Sequence, residues 1–478
     1  MLTCASFYSG KKEFRSIMNF EEALGYMEGL LRFGWRLGNE RFEALCELLG
    51  NPQHKFPIIH IAGTKGKGST TAIAAAILHA QGCKVGAYFS PYVYDPCERV
   101  QVNGAMIPRE DFARIVSNIR PLMEELAETE LGQTTEFELK TAIGFVYFAE
   151  QNVDFACLEV GLGGRLDATN IVHPLVTVIT NIGLDHTQIL GDTHALIAIE
   201  KAGIIKPGVP CFTAVDNIEA LQEIQRISTE RRAPLILVNR ISTQNNLLPV
   251  SKTNSTVSWF VDTDDDDHAH TAAFTIITNR NKYEHLEMRM GGVYQRANAA
   301  CAVAAVEEAL AKFDVKLRED SVRTGLATAE LPARLSISRS HKGALIVMDG
   351  AHNEMAARAL LGPVQALRRQ YGIERVHLVI GMLTGHSLQG FLKELGGIAD
   401  MITVCQPKWK RAVPVEEMAA AAREVCEDVR TITSVRGAVK AALAEAGPHD
   451  MVLITGSFYT VGEVHLQELM AEIGAEHG

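Results

Sequence analysis

One stretch constrains the fold of this chain more than any other: Gly63-Thr64-Lys65-Gly66-Lys67-Gly68-Ser69, set between the apolar run Pro57 to Ala62 and the Ala-rich run Thr70 to Ala80. The apolar run reads as a buried strand and the Ala-rich run as a helix. A strand that enters a helix through a glycine-rich turn is the context a phosphate-binding loop requires. The glycines let backbone N–H groups converge on phosphate oxygens, and the helix N-terminus adds the positive end of its dipole. In such a loop Lys67 reaches terminal phosphates and the Ser69 hydroxyl is placed for Mg²⁺. Gly68 separates Lys67 from Ser69, a departure from the spacing G-x-x-x-x-G-K-[ST]. The alternative is a turn that binds nothing.

The same alternation continues. Val85 to Phe89, Phe155 to Val160 and Leu175 to Thr180 are further buried-strand candidates, separated by helical patterns or long loops. That is the pattern of βαβ units and a parallel sheet covered on both faces. From Asn239 to about Asn281 the composition shifts to Ser, Thr and Asn, with the acidic run Asp264 to Asp267 and the alternating Val257-Ser258-Trp259-Phe260-Val261. We read it as a small antiparallel β excursion, and His268 and His270 as part of a solvated hairpin loop rather than a metal site. A helix is predicted over Tyr294 to Lys312, and Thr324 to Pro332 reads as a linker. Strands are predicted again at Gly343 to Met348, Arg375 to Gly381, Met401 to Cys405 and Met451 to Thr455.

The fold class that follows is α/β: a P-loop parallel-sheet domain of the ATPase type over residues 19–330, then a smaller Rossmann-like α/β domain over residues 331–478. Two domains suit 478 residues at roughly 150 per domain. The run Asn19-Phe20-Glu21-Glu22 reads as a helix start, so residues 1–18 are expected to be a disordered extension or a misassigned start.

The formal charge is 46 − 57 = −11, which argues against nucleic acid as a partner but not against a nucleotide. Nine cysteines without CxxC spacing point to a reduced, cytoplasmic protein with buried thiols. No apolar run reaches the ~18 residues that span a bilayer, and Met1 to Arg15 carries no signal-peptide core.

Four further clusters carry chemistry. Glu159 ends a predicted parallel strand, where a carboxylate faces the ligand crevice and suits Mg²⁺; the alternative is a helix-capping Glu. Asp185-His186 follows another strand of that sheet, which gives His186 a metal role in place of a merely hydrogen-bonded one. Glu200-Lys201-Ala202-Gly203 is flanked by Ile199, Ile204 and Ile205. Partial burial would lower the Lys201 pKa and make the neutral amine reactive, unless Lys201 is a surface lysine. Asp349-Gly350-Ala351-His352-Asn353 closes a strand of the second series, as crevice residues or as turn formers. Arg334 stands just past the boundary, within reach of a phosphate in an interdomain cleft.

Taken together, these motifs resemble the folylpolyglutamate synthase and dihydrofolate synthase family of the Mur ligase superfamily. The resemblance runs from about Phe20 to the C-terminus and includes Ser90-Pro91, Glu98 to Gly104 and Thr455-Gly456-Ser457. It implies an ATP-dependent carboxylate–amine ligase that joins L-glutamate to dihydropteroate or to reduced folates through an acyl phosphate. Gly63, Thr64, Lys65, Gly66, Lys67, Gly68 and Ser69, with Asn298, Arg334 and Asp349, would bind ATP. Ser69, Ser90 and Glu159 would surround one Mg²⁺; His186 and a carbamylated Lys201 would help place a second. His352 and Ser457 would lie near the incoming glutamate, and Ser90, Pro91, Thr135, Glu136 and Phe137 near the pterin. Lys67, His186, Lys201 and His352 would carry the catalysis, in a monomer without nucleic-acid or membrane partners. The family pattern is departed from at Lys65, where Asn is usual, at Tyr92, where His is common, and at Thr384-Gly385-His386, where Asp-Lys-Asp is frequent. Two alternatives stand beside it: a Mur-type ligase of a cell-wall precursor, and a nucleotide-binding module without catalysis.

Overall fold

Asn19 opens the first helix, Phe20–Gly29, as the sequence predicts: its side chain accepts the Glu22 N–H while the Glu22 carboxylate accepts its own N–H, both at 2.9 Å. The computed structural model describes residues 17–33, 38–241, 256–263 and 272–476. The expected extension up to residue 16 and the acidic run Asp264 to Asp267 with His268 and His270 lie outside the described residues.

Seventeen described strands form two sheets. The first holds β1 (Ile58–Ala62), β2 (Val85–Tyr88), β3 (Val100–Val102), β4 (Ala105–Met106), β5 (Phe155–Glu159), β6 (Val176–Ile179), β7 (Cys211–Thr213), β8 (Leu235–Arg240), β9 (Thr256–Val261), β10 (Phe274–Ile277) and β11 (Lys282–Leu286). Their order is β11-β10-β9-β8-β7-β6-β1-β5-β2-β3-β4. From β2 to β9 every neighbour is parallel. β1, β5 and β6 are buried throughout, as a sheet covered on both faces demands. One face packs on the helices Lys67–Ala80 and Val293–Ala311. The other packs on Phe20–Gly29, Arg109–Ala127 and Glu136–Glu150. That second layer is tied by the buried Arg41–Glu138 pair, two hydrogen bonds of 2.7 and 3.0 Å. Loss of one partner of such a pair costs about 3–5 kcal/mol.

The second sheet holds β12 (Ser336–Arg339), β13 (Leu345–Met348), β14 (Arg375–Ile380), β15 (Met401–Val404), β16 (Val429–Thr431) and β17 (Asp450–Thr455), in the order β12-β13-β17-β14-β15-β16. Only β12 runs antiparallel. Helices cover both of its faces around two cores.

Two expectations are corrected. The segment Thr324 to Pro332 is not all linker, because the helix Glu319–Thr328 runs through its first half. Val322 and Leu326 are buried there, and the Ser321 hydroxyl donates to the Ala80 carbonyl at 3.2 Å. The β excursion does not begin as an antiparallel insert: β8 and β9 continue the parallel sheet, and only β10 and β11 reverse direction. At the opposite edge β3 and β4 add two antiparallel strands that the sequence pattern does not announce.

Candidate active site

The carboxyl ends of β1, β5 and β6 meet at the glycine loop, the crevice position of an open parallel sheet. Gly66 sits at φ 83°, a left-handed conformation open to glycine, and the helix begins at Lys67. A Cβ on Gly66 would stand 2.3 Å from Asn298 Oδ1, so Asn298 lies directly against the loop. The loop is fixed from β6: Thr64 N–H donates to the Asn181 carbonyl at 2.9 Å, Lys65 N–H to Asn181 Oδ1 at 2.8 Å, and the Thr180 hydroxyl to the Lys65 carbonyl at 2.6 Å. Lys67 Nζ donates to the Gly63 carbonyl at 3.0 Å and Lys201 Nζ to that same oxygen at 3.0 Å. Lys201 is 4% exposed, which excludes the surface reading. Burial, and then the neighbouring Lys67 ammonium, push it down to about 7.

Glu159 ends β5 and faces the helix start; a Cβ on Gly68 would stand 3.2 Å from its Oε2. It caps no helix: Oε2 accepts the Ser90 N–H at 2.9 Å. Burial pushes the Glu159 carboxyl up, with Lys67 pulling against it. A buried carboxylate without an ion pair among the described residues, bonded to the Ser90 N–H and set against the helix start that carries Ser69, offers with those two hydroxyl-bearing residues a hard-oxygen donor set that fits Mg²⁺. The Ser90-Pro91 turn is held by Glu98, whose carboxylate accepts the N–H groups of Val93, Tyr94 and Asp95 at 2.8, 2.8 and 3.0 Å. A narrow cavity here is lined by Ser90, Pro91 and Glu159 from one half of the chain and by Leu331, Arg334 and Phe458 from the other.

The second half delivers its residues across this cleft. Asp349 caps its own turn, accepting Leu335 N–H at 2.8 Å and Ala351 N–H at 2.9 Å. Burial raises its carboxyl and Arg334 opposes the rise. The Arg334 guanidinium lies 4.6 Å from the Phe458 ring centroid. Lys65 pairs with Asp185 at 2.9 Å and reaches His352 Nε2 at 3.4 Å. His352 Nδ1 stands 2.8 Å from the Gly350 carbonyl, which must accept, so Nδ1 carries the proton and Nε2 is the acceptor that faces Lys65. Burial and Lys65 hold this ring neutral, down to about 3.

Other predicted residues are committed locally. The Thr135 hydroxyl caps the helix Glu136–Glu150. Glu136 pairs with Lys140, and Phe137 packs on Gly161. Ser457 Oγ donates to the Gly381 carbonyl at 3.1 Å. His186 stands at φ 51° and is exposed as a residue, its ring held below the usual range by partial desolvation and by Lys67, Lys65 and Lys201, against the pull of Asp185. Among the described residues no three His, Cys, Asp or Glu side chains cluster as a metal site, no helix is long and apolar enough to cross a membrane, and all eight described cysteines are unbridged. Sequence reasoning missed Thr180, Asn181 and Gln295, which position the loop and Asn298. Asn181 directly follows the strand whose end was singled out, the one local hint available.

Two family models match, the Mur ligase middle domain over residues 61–306 and the Mur ligase glutamate ligase domain over residues 333–458. The chain is 34% identical to the dihydrofolate synthase/folylpolyglutamate synthase of Bacillus subtilis (strain 168), over 93% of its length and 98% of the relative. It is similar to a structure of Escherichia coli FolC in complex with DHPP and ADP, with TM-score 0.80, 30% identity, and coverage of 96% and 99%. It is also similar to a Yersinia pestis bifunctional folylpolyglutamate synthase/dihydrofolate synthase complexed with AMPPNP and Mn ion, with TM-score 0.78, 27% identity, and coverage of 98% and 100%. The chain belongs to the folylpolyglutamate synthase/dihydrofolate synthase family of Mur ligases.

Proposed function

We propose that this chain is an ATP-dependent ligase that joins L-glutamate to a folate carboxylate, either that of dihydropteroate or the terminal γ-carboxylate of a reduced folate. The observation that carries the reading is the meeting of the phosphate cradle with the second half: Lys65 of the glycine loop stands 3.4 Å from His352 of the segment matched to a glutamate ligase domain.

A carboxylate is a poor electrophile, because an amine cannot expel oxide from it. Transfer of the γ-phosphoryl group of ATP gives an acyl phosphate, which loses phosphate readily when the amine attacks. The loop N–H groups and Lys67 hold the phosphates in line, and their fixed charge is already aimed where negative charge develops. Asn298, Arg334 and Asp349 serve the nucleotide from the junction. Ser69, Ser90 and Glu159 would hold Mg²⁺, which supplies charge neutralisation at the transferring group. His186 and Lys201 would hold a second ion, Lys201 as its carbamate. A neutral amine near pH 7 is what CO₂ captures, and the product anion would replace two ammonium groups on one carbonyl by an ion pair.

His352 Nε2 accepts a hydrogen bond from the incoming amine; a ring held near 3 positions that amine rather than taking its proton. Ser457 precedes Phe458, whose ring lies 5.9 Å from that of His352, and would serve the same glutamate, while the Ser90-Pro91 turn with Thr135, Glu136 and Phe137 would line the pterin side. In this reading residues 19–330 bind ATP and folate and residues 331–478 bring glutamate, and closure of the two excludes water from the acyl phosphate. The unbridged cysteines support a cytoplasmic enzyme, and we expect a monomer.

The test is phosphate release with ATP, Mg²⁺ and L-glutamate, using dihydropteroate and tetrahydrofolate in turn. Release that requires one of these acceptors supports the assignment. Release that requires a cell-wall precursor instead, or no release with any acceptor, overturns it.

A further inference from the structure

The sheet edge opposite the glycine loop holds a second cavity, of about 450 Å³, a size that admits a small organic ligand. It opens where β7, β8 and β9 begin. Those strands run parallel to β6, so the cavity lies at their amino ends, away from the crevice at the carboxyl ends. Its floor is apolar: Phe212, Ile236 and Val257 are buried on one face of the sheet. At its edge the carbonyls of Pro210 and Pro234 are taken, by Thr177 N–H at 2.9 Å and Cys211 N–H at 2.8 Å, and neither proline has an N–H to offer.

The helix Val293–Ala311 adds one carboxylate to this apolar cup. Glu307 stands on the buried stripe of the helix with Ala300, Val303, Ala304 and Leu310, and is 5% exposed. Its Oε1 accepts the Asn281 amide at 2.6 Å and the Tyr283 hydroxyl at 2.9 Å. Asn281 is fixed in turn by Thr278, whose N–H donates to the Asn281 carbonyl at 2.9 Å and whose hydroxyl accepts the Asn281 N–H at 3.0 Å. Glu307 Oε2 has neither a hydrogen bond nor an ion pair among the described residues. It is not sealed in the core either, so the cavity that Glu307 lines is what it faces. The two cations at the mouth do not serve it. Arg280 Nη2 donates to Glu308 Oε2 at 2.9 Å, and Lys312 Nζ lies 3.3 Å from Glu308 Oε1.

These features select the chemistry of an occupant. A desolvated carboxylate oxygen is met best by a charged donor, since a charge-assisted hydrogen bond is about twice as strong as a neutral one. A divalent metal takes six or more oxygen ligands, and no cluster of three acidic or metal-ligating side chains stands here among the described residues. An anion is repelled by Glu307 and finds Arg280 and Lys312 already on Glu308. Water gains Glu307 but little else from a floor of Phe212, Ile236 and Val257, and an ordered water needs two to four polar partners.

We propose that this cavity binds a small organic cation: a primary ammonium group seated on Glu307 Oε2, carried by an apolar body that lies on Phe212, Ile236 and Val257. The site is separate from the acyl-transfer centre, and the inference stands or falls independently of the ligase reading.

The test uses three probes of similar shape on the full chain, followed by ligand-observed NMR titration: 2-phenylethylamine, which is a cation at pH 7, the neutral 2-phenylethanol, and the anionic 3-phenylpropanoate. Wild-type protein should bind the amine with a Kd of about 1 mM, the alcohol at least about tenfold more weakly, and the carboxylate not measurably. Saturating ATP should leave the amine's Kd within about twofold, because the two sites lie at opposite edges of the sheet. Glu307→Gln keeps the volume and an acceptor for Asn281 and Tyr283, so Tm should stay close to wild type while the preference for the amine over the alcohol disappears. Equal binding of the three probes by wild type, or no binding, overturns the site and leaves a water-filled notch only. Competition by ATP overturns it by placing the amine at the other edge. An amine preference that survives in folded Glu307→Gln overturns it as well, and if that variant does not fold, the wild-type order of the three probes and its indifference to ATP still decide.

Discussion

Lys67 and Lys201 donate to one and the same carbonyl oxygen, that of Gly63, each at 3.0 Å. Two ammonium groups on one acceptor repel, and Lys201 is buried and Lys67 half-buried, so the arrangement favours a site in which an anion arrives or one amine is neutral. Lys67 is the lysine of the glycine loop and the first residue of its helix. Lys67→Ala should lower kcat by at least about 10²-fold, the scale for loss of one preorganised donor to developing charge, while circular dichroism and Tm stay close to wild type. The variant should also raise the Lys201 pKa, since a repelling neighbour is gone. Near-normal turnover would remove Lys67 from the phosphate site.

Glu159→Gln removes a charge and keeps the volume and the acceptor for the Ser90 N–H. Burial already disfavours the Glu159 anion, so Tm should hold or rise slightly. The Mg²⁺ concentration for half-maximal rate should rise by about tenfold or more, because a neutral amide is a weak ligand for a hard cation. An unchanged Mg²⁺ titration would reduce Glu159 to a brace for the Ser90 turn.

Lys65→Asn restores the residue usual in the family and breaks the Lys65–Asp185 pair. Burial works to raise the Asp185 carboxyl, and Lys65 more than reverses it, so the folded value lies below the unfolded one of about 3.9. A carboxyl lowered on folding stabilises the native state above its unfolded pKa and loses that contribution as pH falls toward the folded one. The wild-type Tm should therefore drop more steeply than the variant's between about pH 5 and 2, and the two should converge there. At neutral pH the variant should lose only about 1 kcal/mol, since the pair is partly solvated. Parallel acid-side curves would mean that Asp185 is held low by something other than Lys65.

The legible part of the site was the local part. The glycine loop, Glu159, Lys201 and Asp349 each sit where an apolar run meets glycine or a polar residue, and such a junction is visible within ten residues. Their partners were not visible. Lys65 meets Asp185 and His352 over separations of 120 and 287 residues, and no local pattern encodes such a pairing. The edge strands β3 and β4, of three and two residues, are too short for a periodicity to register. β9 alternates as a half-buried strand should, yet alternation says nothing about whether its neighbour runs parallel, and the excursion was misjudged there. The Thr135-Glu136-Phe137-Glu138 segment shows the opposite limit: the resemblance marks it for substrate, while Thr135 and Glu138 are already joined in a helix cap.

Lys201 offers the sharpest test of the proposed chemistry. It lies on the helix His194–Ala202, 4% exposed, with Gly63 O as its acceptor. With a pKa of about 7, roughly half of the amine is free at neutral pH and about a tenth at pH 6. The free amine is the form that adds CO₂, so carbamate content and the activity that depends on it should fall as pH drops through 7, and bicarbonate should raise activity more at pH 8 than at pH 6. Lys201→Ala should abolish most turnover without unfolding the protein, because a buried ammonium beside Lys67 contributes repulsion rather than a bond the fold needs. Short carboxylates such as acetate or formate should restore part of the rate in the variant, by entering the space left next to the glycine loop, and should do nothing for wild type. An unmodified lysine acting only as a hydrogen-bond donor to Gly63 predicts otherwise: no bicarbonate dependence at any pH, and no rescue of Lys201→Ala by carboxylates. ¹³C NMR of protein equilibrated with ¹³CO₂ decides the matter directly, since a carbamate signal must be present in wild type and absent in Lys201→Ala.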